Sequence, residues 1–466
     1  MSITRTDIKE GNYPLSSAQS RIWFMENLNM DTRAYNDPYD YKIKGKIDPG
    51  ILEKSVYILM ARHESFRTVF RNDNGNPRQV ILADMNFHIE FISLENEEPR
   101  VRDQKLADYS FANSQRKFNL ENGPLFYVGL FKISEEEHLL LINFHHIISD
   151  AVSIRIFLDE LFDVYHAESI KKPVELPDIP INYRDFAIWE TEWLKSAECS
   201  SQIAYWKKEL EGIPDQLQLP FDFPRPKQLR FKGAEYYFRI DEKLRAALSV
   251  LSKHHGTSLL VPMMSAYAVL LSKYSLQNDI VIGVPVANRS REELQMLVGV
   301  LINSLPMRFN INNESSFVEL IESTRARFMM AYENKSVPFE KLVDELKIHR
   351  SLNSSPIFQV LFNYLTAFEA EIRYEDLVLQ QVPGERNAAL VDLTLTVLDQ
   401  KTWANCVIQY DTDLFRRETI ERMAGHYLTI LQTVAGSQNP VSIGKIPMLT
   451  PKEKDLILEQ WNDTKV

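Results

Sequence analysis

The stretch His145-His146-Ile147-Ile148-Ser149-Asp150-Ala151 puts two imidazoles and a carboxylate within a few residues of one another. An imidazole titrates near neutrality, so it can accept or donate a proton during a reaction, and a nearby carboxylate can orient it or pair with a cation. Other chemistries fit less well. A metal centre would need both histidines to converge, which strand alternation opposes, and neither cysteine is close in sequence. A serine triad would nominate Ser149, but a serine beside Asp150 at a helix start is ordinary capping. The chain has no glycine-rich phosphate loop, which argues against ATP-dependent activation by this chain.

The flanking residues predict how the stretch is held. From Glu137 to Phe144 the pattern alternates, so Leu140, Ile142, Phe144 and His146 share one strand face, and Leu139, Leu141, Asn143 and His145 the other. Beyond Asp150, the apolar residues Ile154, Phe157, Leu158, Leu161 and Tyr165 recur at helical spacing. The motif therefore occupies a strand-to-loop-to-helix junction. Its histidines point in opposite directions, and only one can serve a given site. His254-His255 is a second adjacent pair, but no aspartate follows at the same spacing, so it is read as a helix-end or surface pair.

A chain of 466 residues is too long for one ordinary core, so two lobes are expected. Its 44% hydrophobic and 25% charged residues match globular averages. With 53 basic against 64 acidic residues and a net charge of −11, nucleic acid is excluded as the main partner. Cys199 and Cys406 fit neither a metal nor a disulfide framework, which points to a reducing cytoplasm. No signal core and no membrane-length apolar run is present.

Helices and strands alternate along the chain. Asp48-Pro49 opens a helix with stripe residues Leu52, Val56, Leu59 and Met60, and Asn72 to Gly75 reads as a turn, as does Asn122-Gly123-Pro124. The polar stretch Lys171–Pro180 is the boundary candidate, and the proline-bearing Ile213–Pro226 reads as a long ordered loop. Thr257–Tyr274 is a predicted helix and Ile280–Val286 a predicted buried strand. The expected fold class is α/β (α+β), with lobes over 1–175 and 176–450 and a linker start over 451–466.

His145–Ala151 resembles the HHxxxDG signature of condensation domains of nonribosomal peptide synthetases. Further elements resemble that family in order: LSSAQSRIWF (Leu15–Phe24), RHESFRTVF (Arg62–Phe70), YRDFAIW (Tyr183–Trp189), IGVPVANR (Ile282–Arg289), VGVLINSLPMR (Val298–Arg308), VPFE (Val337–Glu340) and Arg350–Pro356. The resemblance implies two chloramphenicol-acetyltransferase-like lobes in a V, with a tunnel between them. It also implies amide formation between a donor acyl or peptidyl thioester on one carrier protein and the amine of an aminoacyl thioester on another. The phosphopantetheine arms of the carriers are then substrates, and the chain holds no cofactor or metal of its own.

By the same resemblance His146 is the catalytic histidine. His145, whose side faces away, is expected to have a packing or hydrogen-bonding role, and the resemblance makes Asp150 structural, paired with Arg289 of the second lobe. Helix capping by Asp150 is a compatible second role. Arg62, Arg67, Asn303 and Ser304 are tunnel or supporting residues. Ala151 stands where the family has glycine. It either adds a methyl beside the channel or sits harmlessly in a helix start.

The RIWF and RHExxRT elements resemble domains that accept an L-configured donor. A lipoinitiation domain using acyl-CoA is an alternative, because the chain begins at a methionine. Other readings are a non-catalytic recruiting domain of the same fold and a free-standing acyltransferase. The tail Pro447–Val466 resembles a join to an adenylation domain, so the chain is expected to come from a larger synthetase.

Overall fold

The computed structural model describes residues 2–6, 11–27, 33–348, 351–366, 371–382, 387–437 and 439–460. Among them, one six-stranded sheet runs in the order Glu371–Tyr374, Leu377–Val382, Asn36–Lys44, Glu137–His145, Phe126–Lys132, Glu90–Ser93. A second runs Ile302–Asn310, Asp279–Ala287, Val360–Thr366, Leu393–Asp399, Ala404–Asp411, Gly233–Ile240. The strands Asn12–Pro14, Asn76–Ile81 and Thr68–Asp73 form a small third sheet.

The motif strand Glu137–His145 is central and covered on both faces. Leu140, Ile142 and Phe144 enter the first large core with the helices Pro49–Arg62 and Ala151–Ser169. Leu139 and Leu141 pack with Phe131, Leu106 and Tyr109 on the opposite side. The two faces follow the alternation read from the sequence. Phe144 also meets Phe66, Phe126 and Phe157 ring to ring, which fixes the strand against the motif helix. Asp48 caps its helix as expected, accepting from the N–H groups of Gly50 and Ile51 at 2.8 and 3.0 Å. The expected helix from Thr257 begins at Leu260, and the strand expected over Ile280–Val286 runs from Asp279 to Ala287.

The second half of the chain also feeds the first core. The hairpin Glu371–Tyr374/Leu377–Val382 pairs with Asn36–Lys44 and completes the first sheet. Leu294, Leu297, Val298, Val300 and Leu301 are buried in that same core. The helix Tyr183–Trp193 joins both sides, with Tyr183 and Phe186 in the first core and Trp193 in the second. Periodicity reports which face of an element is buried, whereas these crossings depend on partners far away in sequence. No helix among the described residues is long and apolar enough to cross a membrane.

Candidate functional site

The motif strand ends at His145 and the motif helix begins at Ala151. Neighbouring chain pins the turn between them: the His145 N–H donates to the Leu125 carbonyl at 2.9 Å and the His146 N–H to the Tyr35 carbonyl at 2.7 Å. The histidines then diverge. His145 has a 4% exposed side chain, and its Nδ1 accepts the Ile147 N–H at 3.2 Å. Tyr35 and Phe118 flank the ring. The His145 ring is thus both packed and hydrogen-bonded inside the fold.

His146 is 20% exposed, and its Nδ1 lies 2.9 Å from Asp37 Oδ2. The attraction is chiefly Coulombic, with a smaller share from the hydrogen bond between the two side chains. Burial works against charging the ring, but the Asp37 carboxylate, with a smaller influence from Asp150, outweighs it. His146 is thereby held above the ordinary imidazole pKa. Asp37 reaches it because Asn36 and Asp37 pair in antiparallel register with His145 and Phe144.

Asp150 makes both the cap and the ion pair, the second of which only the resemblance implied. It caps the motif helix, with Oδ1 accepting the Ser153 N–H at 2.8 Å. It also pairs with Arg289, whose Nη2 lies 2.8 and 3.0 Å from the two carboxylate oxygens, and both side chains are almost wholly buried. The Leu301 N–H donates to Oδ2 at 3.1 Å. Arg289 donates in addition to the carbonyls of Leu294 and Leu297. One carboxylate thus ties the motif helix to the 289–301 segment. Gly299 sits inside this knot at φ +156°, and a Cβ there would lie 1.8 Å from the Tyr183 ring. Glycine is required by that approach.

Ala151 is the first helical residue and is exposed, so its backbone needs no glycine. Asn303 and Ser304 line a cleft with Arg21, Phe186, Glu190 and Glu340, between elements of both halves of the chain. The Asn303 amide donates to the Lys335 and Val337 carbonyls at 2.7 Å each and accepts the Phe339 N–H at 3.0 Å. Arg21 and Glu340 form an ion pair of 3.1 Å across this cleft.

Arg62 and Arg67 lie elsewhere and act as supports, away from the cleft. Arg62 holds Glu160 of the motif helix at 3.0 and 3.2 Å, and Arg67 donates to the Met60 carbonyl at 2.7 Å. His254 ends its helix and His255 caps it, as expected of that pair. Arg350 and the tail residues 461–466 lie outside the described residues. Sequence reasoning missed Asp37, which no local pattern marks. It also missed Glu190, a buried carboxyl that accepts the Ser17 N–H at 2.6 Å.

A family profile described as "Condensation domain" matches residues 9–458. The chain is similar to gramicidin S synthase 2 of Brevibacillus brevis, at 36% identity over 97% of this chain and 10% of that protein. It is likewise similar to tyrocidine synthase 3 of Brevibacillus parabrevis, at 34% identity over 98% of this chain and 7% of that protein. It therefore spans a small fraction of the length of such relatives. Among solved structures it is similar to the X-domain from teicoplanin biosynthesis, with a TM-score of 0.85, 24% identity and coverage of 96% and 99% of the two chains. It is also similar to a variant of the starter condensation domain of rhizomide synthetase in complex with C8-CoA, with a TM-score of 0.81, 19% identity and coverage of 94% and 98%. These likenesses establish the fold as two chloramphenicol-acetyltransferase-like lobes in a V-shaped pseudo-dimer. Fold, motif order and profile agree, and the chain belongs to the condensation-domain family of nonribosomal peptide synthetases.

Proposed function

We propose that this chain forms an amide bond between a donor acyl or peptidyl thioester on one peptidyl carrier protein and an aminoacyl thioester on a second, with His146 as the catalytic residue. The acceptor amine attacks the donor carbonyl, and the new C–N bond replaces the C–S bond. The amine proton passes by way of His146 to the departing pantetheine sulfur, so the products are an amide on the acceptor carrier and a free thiol on the donor. An aminoacyl α-amine has a pKa near ~7.7–8.0, so little deprotonation is needed before attack. Most of the acceleration then comes from holding the two arms together, which can supply roughly 7–11 kcal/mol.

The observation that carries this reading is the half-buried His146 at a turn pinned on both sides, beside a buried Asp150–Arg289 pair. The arms of the carriers are substrates, an adjacent adenylation domain is the expected neighbour, and the cytoplasm is the expected compartment. The opening and RHESFRT elements favour an L-configured donor. The likeness to a domain whose structure holds C8-CoA keeps an acyl-CoA donor as a second reading.

The test uses mass spectrometry of the acceptor carrier after incubation with separately loaded donors. Product from carrier-bound L-donors, lost in His146→Ala, supports the main reading. Product from acyl-CoA alone supports a starter domain. No product from any donor, with tight binding of a tailoring enzyme, overturns both in favour of a recruiting domain.

A further inference from the structure

Nδ1 of His146 already has a carboxylate at 2.9 Å, so the nitrogen left to meet a substrate is Nε2. We propose that Asp37 is a positioning residue for His146: its carboxylate keeps the proton on Nδ1 and fixes the ring so that Nε2 works on the acceptor amine. The inference rests on the amide-forming reading above and names a residue that the family motif does not contain.

Three features of the site support it. Asp37 is carried by a central strand whose register with the motif strand sets its distance from the ring, so the pairing does not depend on a loose loop. Its side chain is 17% exposed against 20% for His146, which limits dielectric screening of the contact. The other charges facing His146 do not replace it. Asp150 is engaged by Arg289 and the helix N-terminus. Arg21 opposes charging of His146 and is itself paired with Glu340.

The carboxylate acts during the reaction as well as before it. When the amine attacks the thioester carbonyl, Nε2 takes the amine proton and the ring becomes an imidazolium. Asp37 stabilises that cation, and the ring then returns the proton to the thiolate as the C–S bond breaks. A carboxylate that orients a general base and stabilises its protonated form is a general arrangement for proton transfer.

Asp37→Asn keeps the size of the side chain and removes its charge. Two measurements separate the outcomes. The first is NMR titration of His146 in labelled full-length protein, assigned with His146→Ala. The midpoint is expected above the ordinary imidazole value in the parent and lower in Asp37→Asn. The second is the pH–rate profile of amide formation with saturating loaded carriers. The acid limb is expected to move to lower pH in the variant, with a lower plateau, while KM for either carrier stays unchanged.

An unchanged His146 titration in Asp37→Asn overturns the proposal even if the parent makes amide. So does a uniform rate loss with no shift of the acid limb. A parent that makes no amide while its His146 titration still moves in the variant removes the reaction reading and leaves the pairing intact.

Discussion

His145 and His146 are adjacent, yet their surroundings call for different losses on removal. His145→Ala strands the buried Ile147 N–H, which now donates to Nδ1. A buried donor without an acceptor costs roughly 1–3 kcal/mol, so this variant should unfold at lower urea and keep its activity where folded. His146→Ala leaves the pinned backbone untouched, because Tyr35 accepts from the main chain and not from the ring. Its stability should hold while amide formation falls. General acid–base groups contribute about 10²–10⁴-fold, and an amine that is already partly neutral places the loss near the lower end. Urea midpoints and product on the acceptor carrier check both. Equal activity losses at matched stability would refute the assignment of roles.

At the scale of the elements, the motif helix is tied down at its first turn. Asp150→Asn keeps an acceptor for the Ser153 N–H but leaves the buried Arg289 guanidinium without its anion. Breaking a buried pair from one side costs about 3–5 kcal/mol, so the variant should express poorly or melt early. Asp150→Asn folding like the parent in a thermal melt would contradict this. Ala151→Gly touches the same turn with a different result. Ala151 is exposed and helical, so glycine should lower stability by at most about 0.5–1 kcal/mol. Rates across small and bulky acceptor groups should stay in the same proportion. A selective gain with bulky groups would mean that the methyl obstructs the channel.

The same elements show what a sequence can disclose. Strand faces, the Asp48 cap and the strand-to-helix junction were legible because each depends on residues close in the chain. The Asp150–Arg289 pair was found only through the family resemblance, since 139 positions separate the partners. Asp37 was not found at all, because its place beside His146 follows from the register of two strands about a hundred residues apart. For Arg62 and Arg67 the motifs left tunnel and support open, because the choice depends on distant partners: Arg62 holds Glu160 of the motif helix, and Arg67 holds the Met60 carbonyl.

At the scale of the whole molecule, the helix Tyr183–Trp193 is buried at one end in the first core and at the other in the second. Glu190 lies on this helix, lines the cleft and faces the Arg21–Glu340 ion pair. Burial pushes its carboxyl up to about 7, partly offset by the Ser17 N–H, while the Glu340 charge adds to the rise. A carboxyl raised on folding contributes fully below its unfolded pKa, and that contribution is lost as pH climbs through the folded value. For Glu190 the loss runs from about pH 4.5 to about pH 7 and amounts to roughly 3 kcal/mol in magnitude. Glu190→Gln removes the charge while its amide oxygen can still accept the Ser17 N–H. The variant should match the parent near pH 5 and melt higher at pH 8, because only the parent must ionise a carboxyl between the lobes. Arg21→Gln is the control. Its partly exposed ion pair is worth about 0–1 kcal/mol, so it should shift stability little at either pH. Parallel stability curves for Glu190→Gln and the parent from pH 5 to 8 would show that Glu190 is ionised throughout. The cleft would then have to accommodate two carboxylates beside one arginine.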